Sequence, residues 1–134
     1  IPSAAPTTRL TRWAGWLFTT LSTAFLTFDA VAKLIEHPEV AKASAPLGIP
    51  DTLSRPIGLV LAACLGLTLI PRTAPLGAVL LTGFLGGAVF THVRVGDPLF
   101  HTVFPIIVGA MVWAGLFLRD RRVRHLLADP KETR

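Results

Sequence analysis

Residues 76–95 read LGAVLLTGFLGGAVFTHVRV, a mostly apolar run with a histidine and an arginine near its end. A helix needs about 20 apolar residues to cross the roughly 30 Å of hydrocarbon in a bilayer. Outward from this run, similar stretches occupy residues 13–35, 57–70 and 100–118. The stretch at 57–70 is short, but it extends back to Thr52 if Arg55 and Pro56 lie in the headgroup region. The sequence therefore predicts four membrane-spanning helices.

The composition supports a membrane protein. Hydrophobic residues make up 51% of the 134 residues and charged residues only 16%, whereas soluble domains carry about 25% charged residues. Helices are expected because a spanning helix satisfies its own backbone hydrogen bonds. We therefore predict an all-α integral membrane four-helix bundle with up-down topology. Residues 1–12 are expected to form a flexible N-terminal arm, 13–118 the transmembrane domain and 119–134 a basic tail.

Most basic residues lie at one end of the predicted bundle. They precede the first helix, occupy the second connection and follow the fourth helix, whereas charges in the first and third connections nearly balance. The positive-inside rule therefore places both termini in the cytoplasm. We expect the tail LRDRRVRHLL, residues 118–127, to lie along anionic headgroups. No folded basic face accompanies it, so no nucleic-acid partner is expected despite the net charge of +5.

The ionisable residues of the spans gather near the opposite, outer end. Asp29 and Lys33 are one helical turn apart on the first helix, where an acid and a base attract each other. Ionisable residues inside a membrane are candidate site residues by default. His101 begins the fourth helix, and Asp97 lies in the turn before it. The single Cys64 lies mid-helix and forms no intramolecular disulfide.

The third helix carries a GxxxG spacing at Gly83 and Gly87. Such small residues let membrane helices pack closely, which is the plain interpretation; alternatively, Gly86 and Gly87 leave room for a ligand. Arg94 continues this stripe, so we expect it to point into the bundle. His92 is rotated by roughly 200° from Arg94 at about 100° per residue and points elsewhere.

Two interpretations of the outer end remain open. In the first, Asp29 pairs with Lys33 or Arg94 and only holds the helices in register. In the second, a small lipophilic molecule enters from the bilayer, Asp29 accepts a proton or a hydrogen bond, and Arg94 holds an oxygen; these two residues are then the catalytic candidates. The predicted ligand-binding residues are Asp29, Lys33, Gly86, Gly87, His92, Arg94 and His101. His92 and His101 could also ligate a metal or a haem, but each alone is more typical of an interfacial histidine, so we expect no metal site and no haem.

Several stretches carry a resemblance to a known family. They are FDAVAKL at residues 28–34, LIPRTAPLGAVLLTGFLGGAVFTHVRVGDPLF at 69–100 and WAGLFLRDRRVRHLL at 113–127. With these stretches the chain resembles the DoxX-like family of small bacterial four-helix membrane proteins. The resemblance implies the fold, the membrane location, and Asp29, Lys33, His92 and Arg94 as shared positions. Many members carry a glutamate where this chain has Leu61, which argues against a mechanism that needs that carboxylate.

The resemblance also implies the range of functions. Members are tied to thiosulfate and quinone oxidoreduction, and more distant relatives handle lipophilic ligands. We expect an accessory or ligand-binding subunit for a lipophilic molecule such as a quinone, in the bacterial inner membrane. The alternatives are a membrane enzyme in redox or isomerisation chemistry and an assembly subunit of a larger complex. Expected partners are the bilayer, the lipophilic molecule, and other membrane subunits or further copies of the chain.

Overall fold

The computed structural model describes residues 8–128, and within this range the only regular elements are helices. A short helix and two 3₁₀ turns lie in the long connection between the first two spans. The helices are α1 (Arg9–Leu34), α2 (Pro38–Ser44), α3 (Ser54–Leu69), α4 (Ala74–Arg94), α5 (Leu99–Arg119) and α6 (Arg121–Ala128), and the 3₁₀ turns are Ala45–Leu47 and Asp51–Leu53.

Four of these helices are long and apolar enough to cross a membrane, namely α1, α4, α5, and α3 together with the preceding turn, Asp51–Leu69. The predicted all-α membrane bundle is therefore confirmed. The observed ends differ from the predicted ones by a few residues. Helix α1 begins at Arg9 because the Thr8 side chain accepts a hydrogen bond from the Thr11 N–H (3.2 Å) and caps the helix. Residues 1–7 of the predicted arm and 129–134 of the predicted tail lie outside the described range.

The helices form a four-sided bundle in which α1 packs against α3 and α5, and α4 packs against the same two helices. The two ends of this bundle differ. The loop end carries the α1–α3 connection and the α4–α5 turn, and there Arg94 at the end of α4 donates to the Leu47 carbonyl (2.5 Å). The terminal end carries the start of α1, the α3–α4 turn and the end of α5, and there Arg122 of α6 donates to the Pro71 carbonyl in the α3–α4 turn (2.7 Å). The side of the membrane on which each end lies stays a prediction.

Large aliphatic side chains fill the centre of the bundle. Each long helix contributes one leucine that is at most 1% exposed: Leu26, Leu61, Leu81 and Leu116. Leu61 thus occupies the core at the position where the resemblance would place a glutamate. An apolar side chain needs no hydrogen-bond partner there, so the core requires no compensating polar group.

The predicted inward direction of the α4 glycine stripe is wrong. The buried stripe of α4 contains Ala74, Ala78, Leu81 and Leu85. A Cβ added at Gly83, Gly86 or Gly87 would meet no atom within 4 Å, and all three glycines are exposed. The physical reason is that α4 is apolar on every side, so its hydropathy does not indicate which face is buried.

Candidate functional site

A cluster of two histidines and one aspartate lies at the tight turn between α4 and α5, at the loop end of the bundle. Asp97 Oδ2 is 2.6 Å from His92 Nδ1 and 3.3 Å from His101 Nδ1, and the two imidazole rings lie 5.6 Å apart. One carboxylate oxygen thus joins the last turn of α4 to the first turn of α5. The sequence placed Asp97 and His101 at this end but did not predict that His92 joins them.

The backbone of the turn brings these side chains together. Gly96 has φ of +68°, a left-handed conformation that glycine adopts without strain. Its N–H donates to the Val93 carbonyl (3.1 Å), and the Asp97 N–H donates to the His92 carbonyl (3.1 Å). This pair of hydrogen bonds is the Schellman ending of a helix, which folds the chain back over its last turn. Asp97 is thereby held beside His92.

The electrostatics of the cluster favour an ionised carboxylate. The hydrogen bond from His92 is the main reason that the pKa of Asp97 lies below its ordinary value; partial desolvation opposes this shift, and His101 reinforces it. An ionised carboxylate can only accept hydrogen bonds, so each histidine presents its Nδ1–H to Asp97. The Nε2 atoms of both rings are then available to another group.

Aromatic rings continue from this cluster along α5. The Phe100 ring lies 5.9 Å from the His101 ring and 5.7 Å from the Phe104 ring, and Phe104 meets Phe25 of α1 edge to face at 4.9 Å. Phe100 is 67% exposed and Phe25 is 41% exposed. We call Phe25, Phe100 and Phe104 the aromatic surface. It joins the polar turn to the flank of the bundle.

Asp29 and Lys33 form the ion pair that their spacing predicts. The Lys33 ammonium is 2.5 Å from Asp29 Oδ1, and both side chains are partly buried. Lys33 lies where α1 approaches α3 closely, because a Cβ on Gly58 would come within 2.9 Å of the Lys33 Cβ. Within residues 8–128, the ion partner of Asp29 is Lys33 and not Arg94.

Arg94 does not point into the bundle, so that expectation is wrong. The residue is exposed, and its guanidinium donates to the Leu47 carbonyl in the α1–α3 connection. The error follows from the glycine stripe, which faces outward and carries Arg94 with it. Arg94 therefore anchors the connection, and the proposed catalytic pair of Asp29 and Arg94 is not assembled.

A cavity of about 340 Å³ lies in the α1–α3 connection, away from the predicted site residues. It is bounded by α2 and by the segment before α3, and Arg55 flanks it with a contact of 3.5 Å to Glu36. None of the seven predicted ligand-binding residues lines it. The lining residues are Glu36, His37, Val40, Ala41, Ser44, Pro50, Asp51, Thr52 and Ser54.

The structure thus divides the predicted site into separate groups. His92 and His101 both contact Asp97, and Asp29 pairs with Lys33. Arg94 donates to a backbone carbonyl of the α1–α3 connection. Gly86 and Gly87 are exposed, with no neighbouring atom within 4 Å of an added Cβ. Sequence reasoning missed the link made by Asp97 and the aromatic surface. The signal for the link was the glycine one position before Asp97, since a glycine after a helix indicates a reversal of the chain.

Comparison with known proteins identifies the family. The sequence model of the DoxX-like family matches residues 6–115, which include all four long helices except the last residues of α5. No curated protein and no solved structure matched the chain. The match covers most of the sequence and agrees with the four apolar helices of the bundle. The chain therefore belongs to the DoxX-like family and is a multi-pass membrane protein.

Proposed function

We propose that this protein is a binding subunit for a lipophilic molecule with a planar, oxygen-bearing headgroup, such as a quinone. The headgroup lies against the aromatic surface with one oxygen at His101. The observation that carries this proposal is the unbroken series of contacts from Asp97 through His101 and Phe100 to Phe104 and Phe25. We further propose that the protein resides in the bacterial inner membrane with both termini in the cytoplasm, because its basic residues concentrate at the terminal end.

The chemistry of the headgroup fits such a surface. A quinone ring is planar and apolar on its faces, and aromatic side chains bind flat rings through offset or edge contacts. Its oxygens accept hydrogen bonds when oxidised and donate them when reduced. An imidazole whose Nδ1–H is held by Asp97 offers Nε2 as an acceptor to a hydroxyl, and a protonated ring offers Nε2–H to a carbonyl.

The position of the surface suits entry from the bilayer. His101 is 51% exposed on its side chain, and Phe100 beside it is more exposed still. A ligand dissolved in lipid therefore reaches both rings without passing through the leucine core. Sites of this kind combine an apolar wall with few polar groups that fix orientation.

The enzyme alternative, with Asp29 and Arg94 in catalytic roles, has less support. Each of these residues already has its own partner, Lys33 and the Leu47 carbonyl respectively. A general acid or base needs hydrogen-bond reach of the reacting atom and of its co-catalyst. We therefore place the binding role on His101, with Asp97 and His92 as the residues that orient it.

Binding to protein in lipid nanodiscs tests this proposal. Decylubiquinone and its reduced form, decylubiquinol, are each titrated into the parent protein and into His101→Leu, Phe100→Ala and His37→Asn variants. We expect His101→Leu to weaken binding by roughly 10- to 100-fold, since hydrogen bonds to charged or polarised groups contribute about 1.5–3 kcal/mol. Phe100→Ala should weaken binding by loss of the ring contact. His37→Asn is the control, because His37 lies in the α1–α3 connection, outside the proposed site, where its Nδ1 accepts from the Glu39 N–H. Equal affinity of all four proteins would refute the site.

One observation favours a second candidate, an assembly subunit. Gly66 on α3 and Gly83, Gly86 and Gly87 on α4 are exposed, and no atom lies within 4 Å of a Cβ added to any of them. Small residues of this spacing are typical of membrane helix interfaces. Native mass spectrometry in mild detergent tests the idea. Gly83→Leu should release a partner subunit or a second copy, whereas Ala110→Leu, at an exposed position on α5, should not.

A further inference from the structure

We propose that His92, Asp97 and His101 form a binding site for a divalent first-row transition-metal ion, with Zn²⁺ as its simplest occupant. This inference goes beyond the proposed binding of a lipophilic molecule and does not rest on it. It also departs from the expectation of no metal site, which rested on each histidine taken alone being typical of an ordinary interfacial residue.

The donor atoms are already gathered. One donor atom from each of His92, Asp97 and His101 lies within 4.8 Å of the donor atoms of the other two, and this is the only such group of three among residues 8–128. Around a tetrahedral Zn²⁺ with bonds of about 2.0–2.2 Å, neighbouring donors lie about 3.3–3.6 Å apart. Asp97 is 2.6 Å from His92 and 3.3 Å from His101. Small side-chain rotations therefore suffice to admit an ion.

The donor set indicates the class of metal. Two imidazoles and one carboxylate suit Zn²⁺, Fe²⁺, Co²⁺ and Ni²⁺, whereas Ca²⁺ and Mg²⁺ prefer sets made of oxygen alone. On metal binding, each neutral imidazole changes to its Nε2–H tautomer, so that Nδ1 presents its lone pair to the ion in place of the proton that bridges the ring to Asp97.

The scaffold favours binding by holding the ligands before the ion arrives. All three residues come from the ten-residue segment HVRVGDPLFH, residues 92–101, and the Schellman ending at Gly96 fixes the turn between them. His92 and Asp97 are about one-fifth exposed, while His101 is 51% exposed. The open side at His101 leaves room for water or another molecule as a fourth ligand, as in sites that are not purely structural.

Metal titration tests the proposal directly. Protein purified without a polyhistidine tag is stripped with a chelator and placed in phosphatidylcholine nanodiscs. Zn²⁺ binding is then measured by calorimetry, and Co²⁺ binding by its visible absorption. We expect one equivalent of each metal, with Co²⁺ bands of tetrahedral intensity. Asp97→Asn and His101→Phe should each weaken Zn²⁺ binding by at least about 100-fold, because even the loss of a residue that only orients a ligand costs 10- to 100-fold.

His37→Asn removes another histidine of the loop end that lies outside the cluster, and it should bind Zn²⁺ as the parent does. Circular dichroism establishes that each variant is folded; if Asp97→Asn does not fold, the exposed His101→Phe variant decides the question. Absence of Zn²⁺ binding by the parent, or affinity unchanged in the folded cluster variants, would overturn the proposal. Quinone binding is measured separately, so either proposal can fail alone.

Discussion

At the terminal end of the bundle, Arg119 of α5 contacts two side chains of α1. Arg119 donates from Nε to the Thr19 hydroxyl (3.1 Å), and its guanidinium carbon lies 4.8 Å from the centre of the Trp16 ring. Thr19 is only 8% exposed, so water does not easily take the place of its hydroxyl as the hydrogen-bond partner of Arg119. This contact fixes α5 against α1 where the helix leaves the apolar core.

Replacing Thr19 with valine should test that contact. Thr19→Val keeps the shape of the side chain and its β-branch but removes the acceptor for Arg119, so we expect a loss of about 1–3 kcal/mol of stability. Thr20→Val is the matched control, because Thr20 is exposed on the same helix and should change stability by less than about 0.5 kcal/mol. Denaturant unfolding in mild detergent measures both. A difference between the two variants near zero would contradict this role.

Asp120 caps the short helix that follows the last span. Its Oδ1 accepts from the Arg122 backbone N–H (2.9 Å), and its carboxylate also contacts the Arg122 guanidinium. Burial raises the pKa of Asp120, but the hydrogen bonds and charge of Arg122 together lower it further, so the net pKa lies below its ordinary value.

The lowered pKa of Asp120 predicts a pH dependence. A group whose pKa is lower in the folded state stabilises the fold above its ordinary pKa of about 3.9, and the effect fades as the pH falls through the lower folded value. Asp120→Ala should destabilise α6 by about 1 kcal/mol at pH 7, whereas Asp120→Asn keeps a capping oxygen and should cost less. Hydrogen exchange of α6 amides measures this. Protection that is lost already near pH 6 would be the contrary result.

Among the helices, α4 shows how the same residue type serves opposite purposes. A Cβ added to Gly77 would lie 2.3 Å from the Thr68 backbone nitrogen, so α3 and α4 touch there through their backbones. Gly83, two turns further along, meets open space. The two glycines cannot be told apart by composition, because both lie in the same apolar helix.

The two positions should therefore respond differently to alanine. Gly77→Ala forces α3 and α4 apart, and we expect a loss of about 1–3 kcal/mol from overpacking. Gly83→Ala creates no clash in the single chain and replaces glycine in a helix, which favours folding by about 0.5–1 kcal/mol. Thermal unfolding of the monomer in detergent compares them. Similar midpoints for the two variants would show that α3 and α4 are not in backbone contact.

The sequence alone predicts that the four long helices exist, but it does not predict which face of α4 is buried. Apolar runs near the length of a span fix the existence of the four helices, and their ends follow to within a few residues because caps such as Thr8 are local signals. The face of α4 was not predictable, since an all-round apolar helix has no amphipathic side. The His92 and Asp97 contact was missed because it depends on the backbone of Gly96 in the turn and not on helix periodicity.

For the whole molecule, the distribution of basic residues predicts which end of the bundle faces the cytoplasm. Cys64 is the only cysteine, so a Cys64→Ala background admits single cysteines elsewhere. A membrane-impermeant maleimide should label Ala43→Cys in α2 on intact spheroplasts, and should label Leu10→Cys and Arg72→Cys only after permeabilisation. Labelling of Leu10→Cys and Arg72→Cys from opposite sides would contradict a bundle with both at one end.

A quinone headgroup bound by His101 and the aromatic surface should leave a local pattern of photolabelling. An azidoquinone is added to the protein in nanodiscs, and the labelled peptides are identified by mass spectrometry. We expect label to concentrate on the first turns of α5 around Phe100 and Phe104 and on α1 near Phe25, and we expect His101→Leu to remove it. Label spread evenly over the long helices, or unchanged in His101→Leu, would rule out this binding site.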